Sequence, residues 1–427
     1  MLIFTKEILD MSDKKTVKLP ELLSPAGNFE KLRTAISYGA DAVYFAGQAF
    51  GMRAAADNFT LDEMREAIAY AHAHSAKAYI TVNTLPLVHE IAPLREYLKA
   101  ISEFDEKPDA LIVADLGVAS MVREILPMCE LHVSTQAGIT NHLDCIEWAK
   151  LGASRMVLSR ELSLGDIIQI RQNIPESIEL EAFVHGSMCV SFSGRCLLSN
   201  HFTGRDANRG QCTQPCRWNY KLYEIEEEKR PDDRLPIMET DRGSFIMSSR
   251  DMCMIRRVPE LIEAGIASFK IEGRMKSAYY AAVTANAYRM AIDAYRDGKD
   301  FDERWLRELD SVSHREYCEG YFFESPLDEA QICSSEGMKT GYIREKSYVA
   351  VVKEFDSEKM LAKCIQRNKI SKGEVAEIIS PGLVGREFAA DELYDAEGRE
   401  IESAPHPMME FYVKLPFEAK EGDIIRK

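Results

Sequence analysis

Eight short apolar or alternating runs bounded by turn residues recur between Glu21 and Arg274, with amphipathic stretches between them. This alternation constrains the fold more than any other feature of the chain. The runs are ELLSP from Glu21, DAVYFAG from Asp41, KAYITVN from Lys77, ALIVAD from Ala110, LHVST from Leu131, RMVLSREL from Arg155, LEAFVHGS from Leu180 and SFKIEGR from Ser268. Segments between them, such as LDEMREAIAYAHAH from Leu61 and HLDCIEWAKLGA from His142, have helical spacing, and the second ends at a glycine suited to a helix stop. Eight such units predict an α/β protein built on a (β/α)8 TIM-like barrel, with an open doubly wound sheet as the alternative.

Beyond the eighth run, residues 277–297 read as a long helix and 301–330 as a mixed tail. From about Gly337 the pattern changes to short β-like runs, YVAVVKEF, LAKCIQ, EVAEIIS and FYVKLP, separated by Lys-Gly, Pro-Gly or Glu-Gly turns. These predict a small all-β, barrel-like domain over 337–427, leaving 19–330 for the barrel and 1–18 as an N-terminal extension. Acidic residues and Lys interrupt any apolar stretch in that extension, a poor secretory signal, and no run of about 18 apolar residues occurs anywhere. A soluble, cytoplasmic protein without a membrane partner is expected.

In such a barrel the chemistry sits where strands end and the following loops begin. Those positions are polar here: Ser24-Pro25-Ala26-Gly27, Gly47 followed by Arg53, Asn83-Thr84, Asp115, Ser134-Thr135-Gln136, Arg160-Glu161, His185-Gly186-Ser187, and Glu272-Gly273-Arg274 with Lys276. Singly, Ser24, Asn83 or Asp115 reads as a turn or helix cap; together the set reads as a pocket. Arg53, Arg160, Arg274 and Lys276 suit a carboxylate or phosphate, so with Gln136 they are candidate substrate-binding residues for an acidic small molecule. Arg160, His185, Glu272 and Arg274 are the candidates for catalysis.

Ten cysteines in a chain of this kind point to thiols held by metal or buried in cores rather than to disulfides. Cys129, Cys145, Cys318, Cys333 and Cys364 are isolated and read as small core residues. Four others, Cys189-x6-Cys196-x15-Cys212-x3-Cys216, share an insertion over 187–250, where a barrel loop is commonly about 2–6 residues. A metal would supply the core that so long a loop lacks. Four thiolates suit zinc or an iron–sulfur cluster. Structural zinc more often takes closely spaced ligand pairs, and only Cys212 and Cys216 are so spaced, which favours the cluster. Cys253, in SSRDMCMI at the start of a helix expected near Asp251, is an alternative fourth ligand or a buried helix residue.

A formal charge of −16 opposes loose binding to any polyanion. The insertion is nevertheless basic, with Arg195, Arg205, Arg209, Arg217 and Lys221 against Asp206, and Phe192, Phe202, Trp218 and Tyr220 interleave with these cations. That composition can hold phosphates and stack unpaired bases, which makes Arg195, Arg205, Arg209, Arg217 and Trp218 candidate RNA-binding residues. The same arginines can instead offset the charge of a thiolate-ligated cluster.

Glu181-Ala-Phe183-Val-His-Gly186-Ser187-Met-Cys189, followed by Gly194-Arg-Cys196-Leu-Leu-Ser199, resembles the signature of the U32 peptidase family. LLSPAGN around Ser24, HVSTQ from His132, ANRGQCTQPCRW ending at Trp218 and KIEGRMKS from Lys270 extend the resemblance across the barrel. The family name derives from a reported collagenase. The resemblance implies another activity, because its better-understood bacterial members are oxygen-independent hydroxylases with a [4Fe–4S] cluster and prephenate as hydroxyl source. They act on transfer RNA, ribosomal RNA or a quinone precursor. Length, the Cys-x3-Cys pair and the appended β-domain make this chain most similar to the transfer RNA branch, which makes 5-hydroxyuridine at wobble position 34. The resemblance carries cluster ligation to Cys189, Cys196 and Cys212 and leaves the fourth place to Cys216 or Cys253. It also implies a small dicarboxylate, prephenate, at the cationic strand ends and the tRNA anticodon arm as partner.

Two other classes stay open. A peptidase would lack both HExxH and GxSxG, leaving His185 and Cys189 as the arrangement for a thiol protease. A binding module would use the cluster only to order the insertion.

Overall fold

The computed structural model describes residues 18–52, 57–189, 191–218, 238–240, 243–245, 249–323 and 342–427. Strands β1 (Glu21–Pro25), β2 (Ala42–Phe45), β3 (Lys77–Val82), β4 (Ala110–Val113), β5 (Glu130–Val133), β6 (Ala153–Val157) and β7 (Glu179–Ser187) pair in parallel in chain order. Two short strands, β8 (Asp251–Cys253) and β10 (Tyr317–Cys318), flank β9 (Ser268–Ile271) in sequence. β9 pairs in parallel with both β7 and β1, closing an eight-stranded barrel.

The strands are short and nearly continuously apolar because both faces are buried. Val43, Phe45, Ala78, Ile80, Leu111 and Val113 face the helices, while the alternate residues Ala42, Tyr44, Tyr79, Ala110 and Ile112 join Leu23 inside the barrel. Around it lie α1 (Phe29–Ser37), α2 (Leu61–Ala73), α3 (Ile91–Ser102), α4 (Leu116–Ile125), α5 (His142–Lys150) and α6 (Leu164–Gln172). Farther along come α7 (Leu198–Thr203) in the insertion, then α8 (Val258–Glu263), α9 (Ala278–Arg296) and α10 (Glu303–Asp310). Side chains of Asn28, Thr60, Asp115, Asn141, Ser163 and Ser277 accept backbone N–H bonds at the helix starts, each contributing about 1 kcal/mol. Asp115 of the strand-end set is therefore a helix cap.

The helix expected near Asp251 is a correction. Residues 251–253 form β8, antiparallel to the extended end of β7, because β7 runs past the barrel rim and offers a free edge. Helix α8 begins at Val258. Among the described residues no helix is long and apolar enough to cross a membrane.

The C-terminal domain is a seven-stranded antiparallel sheet. Its strands are β11 (Tyr348–Asp356), β12 (Leu361–Gln366), β13 (Val375–Ile379), β14 (Arg386–Ala389), β15 (Leu393–Asp395), β16 (Glu410–Lys414) and β17 (Ile424–Arg426), in spatial order β14-β13-β17-β11-β12-β16-β15. It docks on the outer helices rather than the barrel mouth. Tyr38 after α1 donates to the Ile379 carbonyl at 3.0 Å, and Arg426 donates to Glu308 of α10 and to Glu377, both at 2.8 Å.

Candidate functional site

At the C-terminal end of the barrel the strand ends enclose a cavity. It is lined by Tyr44, Met52, Thr81, Asn83, Ile112, Ser134, Thr135, Gln136, Val157, Arg160, Phe183, Lys270, Glu272 and Arg274. Arg274, 4% exposed, donates to the Thr81 hydroxyl at 3.1 Å. The Arg160 guanidinium lies 3.8 Å from the Phe183 ring centre and donates to the Ser187 carbonyl at 3.0 Å. On the polar side, the Asn83 amide donates to the Ser134 hydroxyl at 3.1 Å, and the Thr135 hydroxyl to the Leu158 carbonyl at 3.1 Å. Three cations, Arg160, Lys270 and Arg274, stand against one lining carboxylate, Glu272, a balance that favours an anion electrostatically.

Lys270 is the member of this set that strand-end reasoning missed. Its ammonium donates to Glu181 at 2.6 Å and sits 4.6 Å from the Tyr44 ring centre. Glu181 also accepts from Arg155 at 3.2 Å, and Arg155 reaches Glu21 at 2.6 Å and Glu179 at 2.7 Å. Burial pushes the Glu181 carboxyl up, but Lys270 and Arg155 overcome this and hold it below its ordinary value. Burial lowers Lys270 more than Glu181 restores it. The available signal was a Lys and a Glu embedded in otherwise apolar strands, where an unpaired charge is too costly to bury.

His185 lies outside the cavity. Strict alternation from Glu181 and Phe183 would point it inward, but the β7–β9 register shifts, pairing Lys270 with Phe183 and Ile271 with His185. This bulge turns the imidazole to the outer face. Gly186 follows the bulge with φ +107°, and a Cβ there would stand 2.5 Å from the Glu272 carbonyl. His185 packs among the rings of Tyr280, Tyr288 and Tyr317, and its Nε2 finds no hydrogen-bond partner among the described residues. Burial drives its pKa down to about 3. Lys276 points away from the cavity too, donating to the Ser313 carbonyl at 2.8 Å beside the Tyr280 and Tyr342 rings. Arg53 lies outside the described residues.

The insertion is anchored over the mouth. The backbone N–H and hydroxyl of Ser193 donate to Glu161 in the loop after β6, and Gly194 lies against the Gln136 backbone after β5. Arg209 pairs with Glu90 in the loop after β3.

Within it, Cys189 is exposed and Cys196, Cys212 and Cys216 are half-buried. The Cys189 thiol donates to the Cys196 sulfur, and the Ser191 hydroxyl and the N–H groups of Leu198 and Ser199 also point at it, which lowers the Cys196 pKa below its ordinary value. The Ser199 hydroxyl on α7 accepts from the Thr213 N–H at 3.1 Å, which ties the Cys212–Cys216 segment to the helix that follows Cys196. Two sulfurs are thus adjacent and the other two stand on a neighbouring segment. Among the described residues no three His, Cys, Asp or Glu side chains converge as metal ligands. Four sulfur donors are of the kind that suits a cluster, although the full set does not converge.

Cys253 is placed differently. It pairs across strands with His185 inside β7, whereas Cys189 lies beyond the end of that strand. Burial raises its thiol to about 12.

Arg195 and Arg205 are exposed, as are Phe192, Phe202 and Trp218. The Trp218 ring is 6.3 Å from Phe202, and its N–H donates to the Thr213 carbonyl at 2.9 Å. The Arg217 side chain, Tyr220 and Lys221 are outside the described residues.

A family model described as peptidase family U32 matches residues 27–332, and one for the peptidase family U32 C-terminal domain matches 344–426. The tRNA hydroxylation protein P1 of Bacillus subtilis is 38% identical, covering 96% of this chain and 95% of its own. The tRNA hydroxylation protein P of Escherichia coli is 35% identical over 93% and 94% of the two chains. A collagenase of Porphyromonas gingivalis is 32% identical over 77% and 78%. Barrel and C-terminal domain alike, the chain belongs to peptidase family U32.

Proposed function

We propose that this protein is a transfer RNA hydroxylase that converts wobble uridine 34 to 5-hydroxyuridine, with prephenate as hydroxyl donor. The observation that carries the reading is the cationic cavity of Arg160, Lys270 and Arg274 beneath a cysteine-bearing insertion. The near full-length similarity to proteins named for tRNA hydroxylation supports it.

In this reading Arg160, Lys270 and Arg274 bind the carboxylates of prephenate, while Asn83, Ser134 and Gln136 orient its polar groups. The insertion covers the mouth and limits access of water. Arg195 and Arg205 meet phosphates of the anticodon arm, and Trp218 with Phe202 offers a stacking surface for an unpaired base. Cys189, Cys196, Cys212 and Cys216 would hold a [4Fe–4S] cluster, Cys216 taking the fourth place because Cys253 is buried on β8 opposite His185. Such a cluster supplies redox or Lewis-acid capacity next to the mouth when bound.

Nucleoside analysis of transfer RNA from a deletion strain tests the reading: 5-hydroxyuridine disappears and returns when this gene is restored. Unchanged modification in the deletion strain overturns it. A Cys–His peptidase gains no support from the geometry, since His185 faces α9 and Cys189 adjoins Cys196.

A further inference from the structure

A column of charge runs through the barrel. Lys270 stands at the cavity, Glu181 below it, Arg155 below that, and Glu21 with Glu179 near the opposite end, where Lys18 pairs with Glu179 at 2.9 Å. Stability alone does not explain this column. Barrel interiors are usually filled by branched apolar residues, and buried ion pairs are commonly no better than apolar packing of the same volume. Elsewhere in the interior Leu23, Ala42, Ala110 and Ile112 follow the apolar pattern.

The geometry at the top of the column has a direction. An ammonium carries three N–H donors, and Glu181 takes one from below. The Tyr44 and Phe183 rings flank the nitrogen at 4.6 and 5.6 Å, and the open side is the cavity shared with Arg160 and Arg274. A compact charge this deeply enclosed acts on a ligand with little dielectric screening.

We propose that Lys270 grips one carboxylate of the small acidic substrate, and that Glu181 and Arg155 are positioning residues that aim its ammonium into the cavity. The inference rests on the reading of the mouth as a dicarboxylate site and adds the residue that discriminates a second carboxylate.

Calorimetric titration of the full-length protein tests it, with prephenate, succinate and the monocarboxylate butyrate as probes. Lys270→Met weakens prephenate binding by about 10- to 100-fold, the loss expected for a charge-assisted hydrogen bond. It also erases the preference for succinate over butyrate, a readout that a structural role would not move. Lys270→Arg restores part of the affinity, and Glu181→Gln gives an intermediate loss. Because Lys270→Met leaves Glu181 with Arg155 alone and can destabilise the barrel, the double variant Lys270→Met with Glu181→Leu removes both charges.

A folded double variant that binds prephenate with wild-type affinity overturns the proposal and leaves the donor reading intact. Wild-type protein that binds succinate but not prephenate, with the binding lost in Lys270→Met, supports Lys270 and removes the prephenate reading. Wild-type protein that binds neither dicarboxylate overturns both.

Discussion

Ser193 in the insertion donates its backbone N–H and its hydroxyl to the carboxylate of Glu161 in the loop after β6, at 2.8 and 3.2 Å. This pairing joins the cysteine-bearing segment to the barrel rim, beside the close approach of Gly194 to Gln136 and the Arg209–Glu90 ion pair.

Glu161→Ala is expected to loosen the insertion while leaving the barrel folded. Losing hydrogen bonds to a charged acceptor costs about 1.5–3 kcal/mol, so opening of the segment should become roughly tenfold or more frequent. Limited proteolysis between 191 and 218 reads this out, with the thermal unfolding midpoint as control. An unchanged cleavage rate would show that Glu161 does not hold the lid.

Gly194→Ala should act on the same segment by another route. Gly194 has φ +73°, and a Cβ would stand 2.4 Å from the Gln136 carbonyl. The left-handed backbone alone costs an L-residue about 1–2 kcal/mol, and the clash adds to it. Hydrogen exchange should rise across residues 191–199 and stay unchanged in β1 to β6; protection equal to wild type contradicts the close approach.

On the proposed ligand set, serine at Cys189, Cys196, Cys212 or Cys216 should each lower iron and sulfide content in anaerobically purified protein. Cys253→Ala should keep both, at a packing cost of about 1–2 kcal/mol. Iron retained by Cys216→Ser but lost from Cys253→Ala would reverse the assignment of the fourth ligand. A colourless zinc protein would remove the cluster.

His185 should make the fold acid-sensitive. Its imidazole ordinarily titrates at 6.5 and is driven to about 3 by burial; Asp251 opposes this, while His314 and Lys276 add to it. The unfolded chain therefore takes up a proton that the folded chain refuses. The associated stability is complete above 6.5 and declines towards 3, at about 1.4 kcal/mol per pH unit. Urea denaturation between pH 7 and 4 should give a shallower acid limb for His185→Gln than for wild type. Parallel limbs would mean that His185 is already protonated in the fold.

Much of the barrel was legible because each strand is buried on both sides, so short apolar runs and the amphipathic segments between them stand out in the chain. The β-rich C-terminal segment was visible from its alternating runs, buried on one face as in Leu361–Gln366, and the turns between them. Asp251–Cys253 was misread as the start of a helix because its conformation depends on the overhanging edge of β7, which no local pattern records. His185 was placed at the mouth because it stands at a strand end, and the bulge before it turns its side chain to the outer face. Lys270 went unnoticed because it precedes the strand end and gains meaning only opposite Glu181.

Local pattern was enough to establish the barrel, the basic cysteine-bearing insertion and the polar strand ends, since these depend on residue types at short spacings. Which charged groups share the cavity, which face His185 takes and where Cys253 lies relative to the other cysteines followed from strand register. Register is set by pairing between distant segments, as between Glu181 and Lys270, 89 residues apart, and one residue of shift exchanges the inside of the barrel for the outside.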